Sequence, residues 1–390
     1  MEKYFIVNTG SASKKYALYA GKKKLFFAHL EKEKGNFVMT IVDRAKTKKM
    51  AISRQNFIHS IKYLVQLLIS QKVIADKKEI IGIGMRIVAP GTYFQKHRRI
   101  DENYFIKLNK EKSEAPLHLI PIIEEIKAIR KVFPGAPLIG VSDSAFHSSL
   151  PDHSRLYALP TAIAGKLDIR RFGFHGISLQ SLLKKIKILF GEAPARIIIC
   201  HLGSGSSITA IKNGKSLDTS MGFTPLEGLP MGTRVGDIDA GAVIYLAQKN
   251  KLNFNQLEKY LNSSCGFLGL SGKTGDVREL LDLEKRNNKK AALALETFVY
   301  KIQKYIGAYI AALNGLDLLV FSATIGERSF IMRSRICRNL DQLGILLDEK
   351  KNTWAVSRDG FINKKSARVK IVVLTTDEME EIANQTIKIL

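Results

Sequence analysis

Two glycine- and serine-rich segments, half a chain apart, contain residue types that could bind a ligand. Residues 4–21 read YFIVNTGSASKKYALYAG, and residues 197–214 read IIICHLGSGSSITAIKNG. Aligned without a gap, the loops match Gly10 with Gly203, Ser11 with Ser204 and Ser13 with Ser206. Backbone N–H groups and serine hydroxyls in such loops can bind phosphate, and Lys15 adds a positive charge. Either loop alone could be a plain hairpin turn, but the pair favours duplicated domains that each present a loop to one cleft.

Two arginines lie in glycine-flanked turns that follow apolar runs. Arg86 occurs in GMRIVAPG, and Arg234 occurs in GLPMGTRVGD. The planar guanidinium can donate two parallel hydrogen bonds to an oxyanion, which a lysine cannot do. Either residue alone could be an ordinary surface arginine, but two in such turns are what an anionic substrate requires.

Three further side chains could serve as acids, bases or metal ligands. Asp143, in VSDSAFH, follows an apolar run, which is where open α/β sheets bind their ligands. Glu378, in LTTDE, has a similar position and could hold Mg²⁺ or simply begin the last helix. His175, in RRFGFHG, could act on a substrate or be a histidine at the edge of the core. The alternative for Asp143 is a helix N-cap.

The segment GFLGLSGKT at residues 266–274 resembles a Walker A loop, but its spacing excludes that motif. The motif requires glycine at position 267, where this chain has phenylalanine, and Gly266 is one residue too early. Asp276 and Arg278 follow this turn directly, and they remain a charged pair that could approach a ligand.

Alternating strands and helices must position these residues. Strand-like runs occur at 79–83, 138–141, 316–321 and 368–374, and helical patterns at 57–70, 120–132 and 289–313, the last with an Asn314-Gly315 C-cap signal. The alternation predicts an α/β architecture. A length of 390 residues suggests two or three domains, and the absence of a low-complexity linker predicts tight boundaries.

Composition excludes several classes of protein. Hydrophobic residues make up 45% and charged residues 25% of the chain, so disordered, collagen-like and coiled-coil classes are excluded. Lys and Arg number 61 against 36 Asp and Glu, which gives a net charge of +25. Because the basic residues are scattered in short clusters, we interpret them as a solvated surface and expect no specific nucleic-acid partner.

Three cysteines, Cys200, Cys265 and Cys337, form no CxxC pair, so neither a disulfide framework nor a zinc site is indicated. The longest apolar stretch contains three charged residues and therefore predicts a half-buried helix, with no membrane span. Since the N-terminus lacks a signal-peptide pattern, we expect a cytoplasmic protein in a reducing compartment.

Several strings resemble, in order and over nearly the whole chain, the acetokinase family of acetate, propionate and butyrate kinases. The most specific is KNGKSLDTSMGFTPLEGLPMGTRVGD at 212–237; the others are NTGSAS at 8–13, APLH at 115–118, LYALP at 156–160, IRRFGFHG at 169–176 and CGFLGLSG at 265–272. The resemblance implies an α/β fold of two duplicated ribonuclease H-like domains, that of the acetate and sugar kinase/Hsp70/actin superfamily. It further implies an N-terminal domain of residues 1–144 plus 379–390 and a C-terminal nucleotide-binding domain of residues 145–378.

The implied activity is reversible transfer of the ATP γ-phosphoryl group to acetate, which gives acetyl phosphate and ADP. The implied cofactor is Mg²⁺, with Mn²⁺ as an alternative, and the implied assembly is a homodimer joined through the C-terminal domain. A kinase that prefers propionate or butyrate remains an alternative, because one methylene changes binding by only about 1–3 kcal/mol. The alternative from another class is a degenerate relative that acts as a basic nucleic-acid or regulatory binding protein, although no nucleic-acid-binding signature accompanies the charge.

The resemblance also implies roles for individual residues. Catalysis is assigned to Arg86, Asp143, His175 and Arg234, and Mg²⁺ binding to Asn8 and Glu378. The carboxylic acid substrate is assigned to Arg86, Val88, Leu117, Phe174 and Pro225. The nucleotide is assigned to Ser11, Ser13, Lys15, His201, Leu202, Gly203, Ser204, Gly205, Asp276, Val277, Arg278, Thr324, Ile325, Gly326, Glu327 and Arg328.

The chain departs from the family pattern at several positions near these residues. Met85 and Ala89 replace histidines, Pro90 replaces a glycine and Ser204 replaces an asparagine, while Ile177 and Leu179 occupy polar positions and TIGER replaces GIGEN at residues 324–328. None of these changes removes a charged candidate residue. We therefore predict a working kinase, with the departures bearing on its rate and nucleotide affinity.

Overall fold

The structure, a computed structural model, describes residues 1–10, 13–33, 35–43, 46–113 and 116–390. These residues fall into two compact units. The first consists of Met1–Ala145, Gly176–Ser181 and Asp377–Leu390, and the second of Phe146–His175 and Leu182–Thr376. The domain boundaries at residues 144 and 379 stay a prediction. The two units differ from them by grouping residues 145, 176–181, 377 and 378 with the first unit.

A mixed sheet forms the centre of the first unit. Its strands are β1 (Lys3–Thr9), β2 (Ser13–Ala20), β3 (Lys23–Glu33), β4 (Asn36–Asp43), β5 (Lys46–Ile52), β6 (Ile80–Ile87), β7 (Arg98–Arg99) and β8 (Leu138–Ser142). They lie in the order β5-β4-β3-β2-β1-β6-β8-β7. Strands β1 to β5 are antiparallel neighbours, whereas β6 is parallel to both β1 and β8. The carboxyl ends of β1, β6 and β8 therefore meet at one edge of the sheet.

A second mixed sheet forms the centre of the second unit. Its strands are β9 (Arg196–Leu202), β10 (Ser206–Lys212), β11 (Lys215–Thr219), β12 (Leu318–Ser322), β13 (Gly360–Phe361) and β14 (Lys370–Val373). Their order is β11-β10-β9-β12-β14-β13. Here too, two antiparallel strands precede β9 on one side, and two strands parallel to β9 follow on the other. The series β11-β10-β9-β12-β14 has the same topology as β3-β2-β1-β6-β8, which confirms the predicted internal repeat.

Helices cover these sheets. They are α1 (Arg54–Ile58), α2 (Ser60–Ser70), α3 (Glu102–Lys110), α4 (Pro116–Val132), α5 (Asp152–Arg155), α6 (Thr161–Lys166), α7 (Gly176–Phe190), α8 (Ala240–Lys249), α9 (Phe254–Ser263), α10 (Gly266–Ser271), α11 (Val277–Lys285), α12 (Lys289–Leu313), α13 (Ala323–Arg328), α14 (Phe330–Cys337), α15 (Glu349–Trp354) and α16 (Glu378–Ile389). Short 3₁₀ helices lie at Lys77–Glu79, Thr92–Phe94, Glu111–Ser113, Ala145–Ser149 and Asp341–Leu343.

The two faces of the first sheet are buried by different helices. On one face, Phe5 and Val7 of β1 pack with residues of α2 and α4. On the other face, Tyr4 and Ile6 pack with Met379 and Ile382 of α16. Because successive strand residues point to opposite faces, burial on both sides requires the continuous apolar runs that the sequence shows in β1 and β8.

In the second unit, one long helix forms much of the core. Helix α12 buries Ala294, Phe298, Ile302 and Ile306 against the sheet and α14. It ends at Asn314, whose left-handed backbone (φ 56°) confirms the predicted C-cap. Within the described ranges, no helix is both long and apolar enough to cross a membrane.

The predicted elements occur with shifted boundaries. The helix predicted at 57–70 is two helices, since the backbone at His59 (φ −97°, ψ 37°) departs from helical geometry between α1 and α2. The strand predicted at 79–83 continues as β6 to Ile87, because it is paired with a parallel strand on each side. Residues 266–274, rejected as a Walker A loop, begin with helix α10.

Close packing of α16 on β6 predicts a specific requirement for glycine at residue 84. A Cβ at this position would overlap the hydroxyl of Thr386 on α16. Gly84→Ala should therefore destabilise the protein by about 1–3 kcal/mol, as overpacking of a core does. Gly165→Ala is the control, because a Cβ at this helical position meets no atom within 4 Å. Urea unfolding measures both variants, and equal stability of the two would contradict the packing described for α16.

Candidate active site

Four of the predicted site residues meet at the strand edge of the first unit. Arg86 Nη2 donates to Asp143 Oδ2 at 2.8 Å, and Arg86 Nη1 lies 3.4 Å from Asn8 Oδ1 and 4.0 Å from Glu378 Oε2. Asn8 Nδ2 in turn donates to Glu378 Oε2 at 2.8 Å. Arg86 thus contacts an amide and two carboxylates, so the structure brings these four residues together as one network.

The fold places each of these four side chains by simple rules. Asn8 and Arg86 lie near the carboxyl ends of β1 and β6, and Asp143 follows the last residue of β8. Residues two apart on a strand point to the same face of the sheet. Asn8 therefore points to the same face as Ile6, and Arg86 to the same face as Gly84, which is the face that α16 covers. Glu378 is the first residue of α16, which therefore carries a carboxylate directly to that face.

Burial and charge keep Arg86 protonated. Burial alone would lower the pKa of the guanidinium, but the carboxylates of Asp143 and Glu378 raise that pKa well above its ordinary value. Asp143 itself is fully buried. A buried carboxylate requires a partner of opposite charge and hydrogen bonds, which Arg86 provides. The Arg86 Nε atom is also buried, and it has no hydrogen-bond partner among the described residues.

Asn8 and Glu378 have the donor chemistry that Mg²⁺ requires. Both offer oxygen atoms, and Mg²⁺ in phosphoryl-transfer sites is commonly held by one or two carboxylates together with substrate phosphates and water. No group of three or more His, Cys, Asp and Glu side chains suited to a metal occurs within the described residues. The oxygens of this pair fit Mg²⁺ by their chemistry, and phosphate and water would have to supply the other ligands.

The second unit contains a separate cluster around His175. Its Nδ1 lies 2.9 Å from the Ser207 hydroxyl, and its ring centroid lies 4.7 Å from that of His201. His201 Nδ1 is in turn 3.0 Å from the Ser322 hydroxyl. The backbone of His175 is left-handed (φ 63°), which is strained for a residue with a side chain and is enriched at functional sites.

Gly205 lies beside both His175 and Arg234. A Cβ at residue 205 would be 3.5 Å from His175 Nε2 and 3.7 Å from Arg234 Nη1. Arg234 Nη1 donates to the Pro225 carbonyl at 3.3 Å and lies 3.6 Å from Met231 Sδ. The second loop of the repeat therefore lies next to an imidazole and a guanidinium, which agrees with a site for an oxyanion.

This loop also lies beside the turn predicted to bind nucleotide. The Gly203 N–H donates to the Gly205 carbonyl at 3.1 Å, and a Cβ at residue 203 would be 3.5 Å from the Ala323 Cβ. Ala323 begins α13, which covers Thr324–Arg328. Ser204, Thr324 and Arg328 are exposed, whereas Leu202 and Ile325 are core residues whose side chains face inward. Any contact of these two core residues with nucleotide would have to involve their backbone.

The remaining predicted residues are distributed over both units. Ser11 lies outside the described residues, and so does the Leu117 side chain. Lys15 pairs across the sheet with Asn8, so the two side chains share a face. Val88 is half-buried in the first unit, while Phe174 and Pro225 are buried in the second. The structure does not bring the residues assigned to the carboxylic acid into one unit.

Asp276 and Arg278 form a surface ion pair. Arg278 Nη2 donates to Asp276 Oδ2 at 2.6 Å, and this bond is the main cause that lowers the pKa of Asp276. Asp276 also caps α11 by accepting a hydrogen bond from the Arg278 N–H. The capping function explains why aspartate begins this helix. A nucleotide contact of the pair stays a prediction.

Sequence reasoning missed three residues that support the site. Ser178 donates to the Glu378 oxygen that Asn8 does not contact, and Ser207 orients His175. Arg171 donates to Glu227 at 2.6 Å and to the Thr219 carbonyl at 2.8 Å, and so secures the segment that carries Pro225. Ser207 directly follows Ser206 of the aligned loops, and Arg171 lies in the string IRRFGFHG. The sequence therefore offered a reason to include these two residues in the site. Ser178 carried none.

Comparison with known proteins supplies the family. The model of the acetokinase family matches residues 3–384. The chain belongs to this family. The acetate kinase of Azobacteroides pseudotrichonymphae is 39% identical over 398 aligned residues, with 100% of both chains covered. The crystal structure of Porphyromonas gingivalis acetate kinase is 34% identical with a TM-score of 0.87, and that of a propionate kinase from Francisella tularensis is 32% identical with a TM-score of 0.91; each covers 100% of both chains.

Membership of the acetokinase family confirms the predicted fold, an α/β fold of the acetate and sugar kinase/Hsp70/actin type. Four of the departures from the family pattern share a structural character, whereas Ser204, Thr324 and Arg328 are exposed. Met85, Ala89, Ile177 and Leu179 are all buried, and Ile177 packs with Met379 in the core beneath the site. Ile177 therefore adds apolar support to the charged network, and none of the four substitutions removes one of its members.

The Arg86–Asp143 pair predicts a measurable coupling energy. Arg86→Met leaves the buried Asp143 carboxylate without the arginine charge, and the protein should lose about 3–5 kcal/mol of stability. The double variant with Asp143→Asn should recover part of that loss, since the buried charge is then absent. Chemical unfolding of the two single variants and the double variant gives the coupling.

The matched control is the more exposed pair of Arg196 and Asp317, whose nearest charged atoms are 2.5 Å apart. Its coupling should not exceed about 1 kcal/mol. Equal coupling for the two pairs would show that burial does not strengthen the Arg86–Asp143 interaction.

Proposed function

We propose that this protein is a kinase that transfers the γ-phosphoryl group of ATP reversibly to acetate, which gives acetyl phosphate and ADP. As a member of the acetokinase family, it is a phosphotransferase with a carboxyl group as acceptor. The observation that carries the proposal is the half-buried guanidinium of Arg86, which contacts Asp143 and Asn8 and keeps 19% of its side-chain surface exposed. Such a group binds and orients an anion without giving up its own charge.

Arg86 and Asp143 act as one unit in this proposal. Arg86 binds the acceptor carboxylate, and its hydrogen bond from Nη2 to Asp143 holds the guanidinium in one orientation. Two anions, the carboxylate and the terminal phosphate of ATP, repel each other in water. A fixed arginine reduces that repulsion and positions the acceptor oxygen, which is what phosphoryl transfer chiefly requires.

Asn8 and Glu378 would hold Mg²⁺ in this proposal. The ion, when bound, neutralises charge on the transferring phosphoryl group. Ser178 and Asn8 donate to different oxygens of Glu378, so these two hydrogen bonds orient the carboxylate before any ligand arrives. This arrangement supports a site in which the protein supplies few ligands and the nucleotide supplies the others.

His175 and Arg234 would stabilise the phosphoryl group during transfer. If the Ser207 hydroxyl donates to His175 Nδ1, the ring proton lies on Nε2, which then donates to a phosphoryl oxygen. Arg234, beside the same glycine, provides a second donor for the charge on the equatorial oxygens. The backbone N–H groups of Ser204 and Gly205 are proposed to bind the nucleotide phosphates, while the Gly203 N–H holds the loop closed on the Gly205 carbonyl. We place this reaction in the cytoplasm, where ATP is available.

A hydroxamate assay for acyl phosphate tests this function directly. With ATP and Mg²⁺, acetate should give a higher kcat/KM than propionate or butyrate, and EDTA should abolish turnover until Mg²⁺ is restored. Arg234→Ala should lower kcat by about 10²–10³, as loss of an oxyanion donor does, whereas the exposed Arg54→Ala should not. A preference for propionate would assign the chain to the other branch of the family. No acyl phosphate from any of the three acids, and no ATP from acetyl phosphate, would refute the proposal.

We also propose that two copies of the chain form a homodimer through the second unit. Helix α8 buries none of its residues, although it carries Ile244 and Tyr245 with 58% and 63% of their surfaces exposed. Phe254 at the start of α9 is 91% exposed. Ile244 and Tyr245 are neighbours on one helix, and exposed apolar groups that lie together are typical of an interface between proteins.

Light scattering should therefore give about twice the chain mass of 43.5 kDa at micromolar concentration. Ile244→Glu should convert the protein to monomer, because it places a charge on the proposed contact face. Ile106→Glu is the control, since Ile106 is equally exposed, at 65%, but lies on α3 of the first unit. A monomeric wild-type protein, or dissociation by the control alone, would contradict this interface.

A further inference from the structure

His97 occupies an unusual position beside the strand that carries Asp143. It directly precedes β7, the edge strand that pairs antiparallel with β8. The Ile100 N–H donates to the Leu138 carbonyl at 2.7 Å, and Arg98 lies opposite Gly140. Beyond Arg98 the ladder stops, and the next N–H on this side of β8, that of Ser142, donates to His97 Nδ1 at 3.0 Å. The imidazole thus replaces the missing backbone acceptor.

This hydrogen bond completes the support of the backbone around Asp143. The Asp143 N–H donates to the Ile87 carbonyl at 2.9 Å, and the Asp143 carbonyl accepts from the Gly176 N–H at 2.7 Å. The Ser144 N–H lies 3.2 Å from the Ser142 hydroxyl. Of the hydrogen bonds that fix residues 142–144, the one to His97 is made by a group that can titrate near neutral pH.

We propose that His97 is a positioning residue: its unprotonated Nδ1 fixes the end of β8 and, through it, the contact of Asp143 with Arg86. The kinetic consequence rests on the proposed kinase function, while the hydrogen bond itself does not. A protonated imidazole has N–H groups at both nitrogens, so it can no longer accept from Ser142. Acid should therefore loosen the backbone next to Asp143 and slow turnover.

Charged groups around His97 act in opposite directions. On helix α16, Glu381 favours the protonated ring and Lys388 disfavours it, while Lys96, Arg98 and Arg99 lie on the same segment as His97. On the strand side, Asp143 follows β8. Burial is the largest influence and lowers the pKa of His97 below the ordinary histidine value. At neutral pH the ring is thus neutral, and its support is lost as the pH falls through that lowered pKa.

Two substitutions separate the acceptor from the titration. His97→Asn keeps an acceptor oxygen near the position of Nδ1 but cannot titrate, so it should retain neutral-pH kcat and lose the acid decline that His97 causes. His97→Ala lacks the acceptor, so its kcat at neutral pH should fall about three- to tenfold, with KM for ATP unchanged, as expected for one hydrogen bond. This difference from the wild type should shrink as acid protonates His97 in the wild-type protein. His59→Asn is the control, because His59 is exposed and its side chain makes no capping hydrogen bond. It should show the wild-type pH profile.

Nitrogen-15 NMR gives a readout that does not depend on activity. His97 should carry its proton on Nε2 at neutral pH, and the Ser142 amide signal should titrate with the His97 midpoint and not with that of His59. A protein without kinase activity would refute the proposed function and leave this NMR result to decide the hydrogen bond. Wild-type kinetics in the folded His97→Ala variant, or a Ser142 amide that does not follow His97, would overturn the proposal.

Discussion

The first unit depends on one requirement: a fully buried carboxylate must have a cation beside it. Asp143 is inaccessible to solvent, and Arg86 on the adjacent strand satisfies its charge. The pairing fixes the register of β6 on β8, in which Arg86 lies opposite Val141 and Ile87 opposite Ser142. The face of β6 that carries Arg86 also has a small residue, Gly84, where α16 packs. Because α16 can approach closely there, it brings Glu378 to the same arginine. Packing and charge thus select one geometry.

The duplicated topology serves two kinds of chemistry. In the first unit, the edge where parallel strands end carries charged side chains. In the second unit, the corresponding edge carries glycine backbone and imidazole groups, with His201 of β9 paired opposite Ser322 of β12. One sheet plan thus places a network of carboxylates and an arginine in one unit, and a glycine loop with two imidazoles and the Arg234 guanidinium in the other. A phosphoryl-transfer enzyme requires both kinds of site, because it must bind anionic substrates and also stabilise the charge on the phosphoryl group during transfer.

Sequence patterns predicted the parts of this structure that depend on local order. The apolar runs of β6, β8, β12 and β14, the repeated loop and the position of Asp143 after a strand are all visible in short windows. Contacts between distant segments were not visible: Ser178 meets Glu378 across 200 positions, and His97 meets Ser142 because a two-residue strand happens to end there. A two-residue strand is too short to show a periodic pattern, and serine hydroxyls are common along the chain. The sequence therefore does not identify the partner of His97 or of Ser178.

The position of α16 in the chain has a consequence for how the protein is made. The sheet face formed by Tyr4, Ile6 and Val141 leaves the ribosome long before α16, whose residues Met379 and Ile382 cover it. The unit that begins synthesis is therefore among the last to complete its core. During that interval an apolar sheet surface is open to chaperones or to other nascent chains. Because Glu378 begins the same helix, the charged network and the closing of this core are completed in a single step.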